Sequence, residues 1–297
     1  MPKDKYWRDF TVETAAKSNI QILGVPFDGA VSNARGAAKA PARIRELSKT
    51  APPFSEEGID LRSLVISDRG DVPVSLDWEE YYCEVRKQAA EAVAAGGFTL
   101  FLGGDHSVTI PLATAFAGHY RPEAVGMIHL DSHCDLMDIY DGHRWSHACP
   151  QRRFLEQENT SPRHMALLGI RSYEAAELEF IKANPGLTVI TARQYDWQGR
   201  EASLEQIRQA MRGLKVIYLS LDIDVLDPAY APGTGTPEAG GLTTREVIEL
   251  VRAIVTDLPV KGMDLVEVAP PLDHADITSW AALKIIYEVF AALITRE

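Results

Sequence analysis

Three short stretches of the chain carry residue types suited to holding cations. In Ile128-His129-Leu130-Asp131-Ser132-His133-Cys134-Asp135 an apolar run passes into Asp131, His133 and Asp135 at i, i+2 and i+4. Alternate side chains of an extended segment share a face, so these three are expected to converge. Grouping them beside a buried strand is costly without a cation. In Tyr218-Leu219-Ser220-Leu221-Asp222-Ile223-Asp224-Val225 two carboxylates again share a face among apolar neighbours. Like charges so placed raise each other's pKa unless a metal neutralises them. In Phe101-Leu102-Gly103-Gly104-Asp105-His106-Ser107 a strand runs into two glycines, which permit the tight turn that presents His106.

Together these stretches supply two imidazoles, His106 and His133, and four carboxylates, Asp131, Asp135, Asp222 and Asp224. Four carboxylates balance two divalent ions. An oxygen-rich set with two imidazoles favours Mn²⁺, two per subunit, over a thiolate-type zinc site. Such a pair, about 3.5–4 Å apart, shares one water and brings its pKa toward ~7. Cys134 alternates with the ligands and reads as a packed thiol. His129, inside the strand run, reads as a core histidine.

These residues need elements to hold them. Strands are expected at Ile20–Val25, Leu64–Ile66, Phe98–Leu102, Val125–Leu130, Met165–Ile170, Leu187–Ile190, Val216–Leu221 and Val260–Val266. Most are continuously apolar, as strands buried on both faces are. Helices are expected over 78–95 and over 243–257, where Val247, Leu250, Val251 and Ile254 keep helical spacing behind Thr243 and Glu246. Another is marked near the C-terminus by Ile286, Val289, Phe290 and Leu293. Alternating strand and helix predict an α/β fold with a mostly parallel sheet covered on both faces. Sites in such sheets lie past the strand ends, which is where the Asp and His residues fall. With 297 residues, no internal repeat and no linker, residues 1–297 read as a single domain.

Composition narrows the partners. The net charge of −12 comes without a basic stripe, which excludes a nucleic-acid binder. No apolar run approaches the ~20 residues of a membrane span, and the charged N-terminus lacks a signal-peptide core. Three cysteines without framework spacing fit a cytoplasmic protein with reduced thiols.

The combined set resembles the ureohydrolase family, which includes arginase and agmatinase. The resemblance rests on the three stretches above, the last running on to Pro228, and on Gly24-Val25-Pro26-Phe27-Asp28-Gly29, Ser146-His147-Ala148 and Met263-Asp264-Leu265-Val266-Glu267-Val268-Ala269-Pro270, in order along nearly the whole chain. It implies an arginase-like three-layer fold with a central eight-stranded parallel sheet flanked by helices. It also implies two Mn²⁺ ions and hydrolysis of a guanidino compound to urea and an amine. One ion would take His106, Asp131, Asp135 and Asp222, and the other Asp131, His133, Asp222 and Asp224. Asp135 would handle the proton of the attacking water. Glu267 would take the planar guanidinium fork, and His147 would protonate the leaving amine. The family suggests a homo-oligomer, trimer or hexamer.

The arginase pattern has Asn where this chain has Met137, and the loop through Cys149 looks more like an agmatinase. A small cationic guanidino substrate follows, with Asp138 or Asp141 attracting an ammonium tail and Tyr140 and Trp145 walling the entrance. Arg144 instead suits a carboxylate tail, as in guanidinobutyrate or guanidinopropionate. Ala148 departs from the Gly of many agmatinases. Hydrolysis of a formimino group, as in a formiminoglutamase, and a metal-containing binding protein on the same fold stand as alternatives.

Overall fold

The computed structural model describes residues 6–12, 18–75 and 77–296. Its centre is one sheet of parallel strands in the order β1-β3-β2-β4-β9-β8-β5-β6-β7. The strands are β1 (Thr11–Val12), β2 (Ile20–Gly24), β3 (Val65–Asp71), β4 (Phe98–Leu102), β5 (Val125–Leu130), β6 (Met165–Ile170), β7 (Thr188–Thr191), β8 (Val216–Asp222) and β9 (Val260–Val266). Eight are the expected ones; β1 is a two-residue addition at the edge, too short to carry a pattern. β4, β5, β6 and β8 are buried at every residue, because helices cover both faces.

The helices are α1 (Ala40–Ser48), α2 (Trp78–Ala94), α3 (Thr109–His119), α4 (Pro150–Phe154), α5 (Ala175–Ala183), α6 (Ala192–Ala210), α7 (Thr244–Asp257) and α8 (Ile277–Thr295). One buried apolar cluster lies under α1, α7 and α8 and another under α2 and α3, giving three layers. The expected cap on α7 forms: Thr243 Oγ1 accepts from Glu246 N, and Glu246 Oε2 accepts from Thr243 N at 2.8 Å.

One expectation is corrected by α8. This helix is long and apolar enough, by length and composition, to cross a membrane. Its apolar residues instead pack against α1 and α7, and Ala282 through Ala292 are almost wholly buried. An all-round apolar helix is what a core position requires.

Candidate active site

The cluster forms at the carboxyl ends of four neighbouring strands, β4, β9, β8 and β5, in the middle of the sheet. Past β4, the chain makes its turn at Gly103-Gly104. A Cβ on Gly104 would lie 1.8 Å from the Phe27 carbonyl oxygen, so no larger residue fits. Asp105 accepts from Ser107 N and caps the 3₁₀ turn that begins with His106. Asp222 ends β8 and accepts from Asp224 N at 2.8 Å, which folds Asp224 back toward β5. Asp224 in turn accepts from Ser132 N and Ser132 Oγ at 3.1 and 2.8 Å.

Asp131, His133 and Asp135 do converge, but not by extended alternation. β5 stops at Leu130, and a turn follows in which His133 N donates to Asp131 Oδ1 at 2.6 Å. Asp135 sits at φ 54°, a left-handed conformation costing of order 1–3 kcal/mol. Gln151 N, in α4, donates to its carbonyl at 3.1 Å. Glu267, past β9, is likewise left-handed at φ 63°. Strain of this kind gathers where a side chain must be aimed.

His106 Nδ1 lies 3.0 Å from Asp131 Oδ2, 2.9 Å from Asp135 Oδ2 and 3.0 Å from Asp222 Oδ2. Its other nitrogen, Nε2, is 2.9 Å from Ser220 Oγ, whose hydroxyl donates to Asp264 at 2.8 Å. The neutral ring therefore carries its proton on Nε2 and turns the Nδ1 lone pair to three carboxylates. Both His106 Nδ1 and Asp131 Oδ2 are buried without a hydrogen-bond partner. A cation held between them would satisfy both atoms. Neighbouring ligands of an octahedral ion with bonds of roughly 2.1 Å stand about 3.0 Å apart, the spacing seen here. A second group lies alongside: His133 Nδ1 is 3.1 Å from Asp224 Oδ2 and 3.4 Å from Asp131 Oδ1. The residues present thus fit a pair of divalent ions.

The protonation of the cluster without metal follows from the same crowding. Burial works against charge on His106, yet Asp135, Asp131 and Asp222 hold its pKa well above normal. His133 is raised likewise, against burial, by Asp224 and Asp131. Burial first, then the charges of Asp224 and Asp131, push Asp222 well up. Burial and then Asp131 raise Asp224 as well. These shifts favour protons on His106, His133, Asp222 and Asp224 when no metal is bound.

A cavity of about 420 Å³ opens above this floor. His106, His133, Asp135 and Asp222 line its base; His147 and Tyr140 line a side. His147 Nδ1 is 3.7 Å from Glu267 Oε1. Burial opposes its charge, but Glu267 raises its pKa above the usual value. Glu267 is only 2% exposed and lies behind the cavity wall, with Oε1 accepting from His106 N at 2.8 Å.

Two expected substrate contacts are not brought here. Asp138 is exposed and bound by Arg153, with Arg144 at 3.7 Å. Arg144 donates to Glu156 at 2.7 Å. Neither borders the cavity, because each finds its counter-charge within its own loop, and their reading as tail-binding residues is corrected. Trp145 packs edge-on to Tyr82 instead of walling the cavity.

Other residues escaped the sequence reading. His129 is buried as expected, but its Nε2 stands 3.2 Å from Asp131 Oδ2, so it belongs to the site. Glu174, Glu177 and Glu238 border the cavity from segments distant in sequence. Burial, against hydrogen bonds from Glu174 N and Leu136 N, raises Glu177 to about 7. The run Gly169-Ile170-Arg171-Ser172-Tyr173-Glu174, polar directly after a strand, was the available signal.

Parallel strands ending in a carboxylate–imidazole cluster beneath a polar cavity define a metal-competent hydrolytic centre. The family model described as "Arginase family" matches residues 18–292. The chain is 39% identical over 278 residues to human mitochondrial guanidino acid hydrolase, covering 92% of this chain and 77% of that one. It is 37% identical over 284 residues to the agmatinase of Bacillus anthracis, covering 92% and 91%. The solved structure of proclavaminate amidino hydrolase from Streptomyces clavuligerus superposes with a TM-score of 0.90 at 30% identity, covering 100% of both chains. The chain belongs to the arginase family and is a hydrolase acting on guanidino carbon–nitrogen bonds.

Proposed function

We propose that this protein is a manganese-dependent agmatinase, hydrolysing agmatine to putrescine and urea. One observation carries the substrate reading. The cavity is bordered by Glu174, Glu177 and Glu238, and among the described residues no lysine or arginine borders it. A tail ending in an ammonium group is stabilised there, whereas a carboxylate tail meets like charge, which costs several kcal/mol where desolvated. The B. anthracis relative, named an agmatinase, supports the same reading.

His106, Asp131, Asp135 and Asp222 would hold one ion and Asp131, His133, Asp222 and Asp224 the other, with Asp131 and Asp222 shared. When bound, such a pair brings the pKa of water toward ~7 and so supplies the strong nucleophile that a resonance-stabilised guanidinium carbon requires. Carboxylate and imidazole donors suit Mn²⁺. The chain's own groups do the rest. Asp135, at the cavity base, accepts a hydrogen bond from the attacking water and takes its proton. Glu267, facing His147 Nδ1, raises the pKa of that ring and so favours its protonated form. His147 then gives its proton to the departing amine.

A second reading, a guanidino-acid hydrolase, is favoured by the human relative of that name. The two are separated by urea release from agmatine, arginine, 4-guanidinobutyrate and 3-guanidinopropionate with Mn²⁺-loaded protein. The expected result is a kcat/KM for agmatine at least about 100-fold above the carboxylated substrates. Preference for a guanidino acid would overturn the agmatinase reading. Silence on all four would overturn it too and point to a formimino or other amidino substrate.

A further inference from the structure

We infer that the segment 28–36, pinned by Asp105, positions His147 and fixes which of its ring nitrogens carries the proton. The inference rests on the role just proposed for His147, and it adds Ser32 and Asp105 as positioning residues.

Asp105 lies in the motif beside His106 yet touches neither the metal-competent atoms nor the cavity. It is wholly buried. Its backbone N donates to the Phe27 carbonyl at 2.7 Å, and its Oδ2 accepts from Ala30 N at 2.8 Å. Its Oδ1 accepts from Ser107 N at 3.1 Å and from the Ser107 hydroxyl. Gly104 lets the Phe27 backbone come within contact distance. Asp105 therefore clamps the start of the segment to the turn that presents His106. The remainder is tied down by two more contacts. Asn33 Nδ2 donates to the Gly235 carbonyl at 2.7 Å, and Gly36 N donates to Asp28 Oδ2 at 2.9 Å.

Between these anchors stands Ser32. Its backbone N–H donates to His147 Nε2 at 3.2 Å, and its hydroxyl lies 2.9 Å from the same nitrogen. An N–H aimed at Nε2 requires a lone pair there. The neutral ring is thus the Nδ1–H tautomer, with that proton on the side of Glu267. The hydroxyl can turn to accept when the ring is doubly protonated. Nδ1 faces the carboxylate, so in the doubly protonated ring the Nε2 proton, beside the Ser32 hydroxyl at the cavity edge, is the one available to the departing amine. Ser32 is held from both sides, by the Asn33 contact with Gly235 one residue on and by the backbone bond of Ala30 to Asp105 two residues back.

The test combines ¹⁵N NMR of histidine-labelled, metal-free protein with steady-state kinetics of the Mn²⁺-loaded enzyme, using Ser32→Ala, Ser32→Thr and Asp105→Asn. His147→Asn identifies the His147 resonances, and chelator competition measures Mn²⁺ affinity. The expected ¹⁵N signature in the unsubstituted protein, recorded at a pH where the ring is neutral, is Nδ1–H with an unprotonated, hydrogen-bonded Nε2. Ser32→Ala should weaken that signature and lower kcat about three- to tenfold, with KM and Mn²⁺ affinity held. Ser32→Thr should restore both. Asp105→Asn should mix the tautomers and lower kcat further, to about 10–100-fold, within the range of general acid–base catalysis. An Nε2–H tautomer in the unsubstituted protein, or Ser32→Ala and Asp105→Asn that leave the signature unchanged, would overturn the inference. The NMR arm needs no substrate, so an error in the proposed activity would silence the kinetics and leave the tautomer result decisive.

Discussion

At the scale of single residues, the candidate metal ligands were legible because carboxylates and imidazoles in apolar surroundings have few inexpensive explanations. His129 shows where such reading stops. Its strand position predicts burial, and it is buried, but sequence spacing does not reveal that Nε2 meets Asp131. Asp138 and Arg144 failed for the opposite reason: exposed loop charges find each other, here through Arg153 and Glu156. Glu177 carries a prediction of its own. Its buried carboxyl titrates near 7 in the fold against 4.5 when free. The folded, metal-free protein then holds a proton that the unfolded chain has released. That contribution is complete below about pH 4.5 and is lost as pH rises through 7, a difference of at most about 3 kcal/mol. Guanidinium denaturation of metal-free protein from pH 4.5 to 8 should show a smaller decline of stability for Glu177→Gln than for the unsubstituted chain. Equal slopes would mean that Glu177 is charged throughout.

At the scale of elements, strands were read more faithfully than helices. Eight strands fall within a few residues of their apolar runs because burial on both faces leaves little room for polar residues. α3, Thr-Ile-Pro-Leu-Ala-Thr-Ala-Phe-Ala-Gly-His, gave no helical period, since eight of its residues are buried and no polar face remains. α6 is interrupted at Gly199, at φ 81°, which breaks its period. Turns were the least legible element. The Asp131–Asp135 stretch reads as extended but folds as a turn, because the Asp131 side chain captures His133 N. The glycine turn before His106 offers a direct check. Gly104→Ala puts a methyl group into the Phe27 backbone and should cost about 1–3 kcal/mol, with activity falling as segment 28–36 shifts. Gly118→Ala, in α3 with nothing within 4 Å of the new Cβ, should instead stabilise by roughly 0.5–1 kcal/mol. Thermal unfolding and urea release of the two variants would separate site packing from general glycine effects, and equal outcomes would contradict the close approach.

At the scale of the whole molecule, the parallel sheet explains why the site is where it is. Four neighbouring strands deliver His106, Asp131, Asp222 and Glu267 to one edge, and loops distant in sequence close a carboxylate-lined cavity above them. The sheet order was not readable from the strand runs themselves, since pairing β4 with β9 joins segments more than 150 residues apart. On the proposed reading, that edge is a binuclear metal centre. The most direct test is to titrate Mn²⁺ into metal-free protein, count the ions bound and record the EPR spectrum, with Asp131→Asn alongside. The expected result is two ions per chain with an exchange-coupled spectrum, lost when the shared Asp131 is replaced. One ion per chain, none, or two that give an uncoupled spectrum would contradict it.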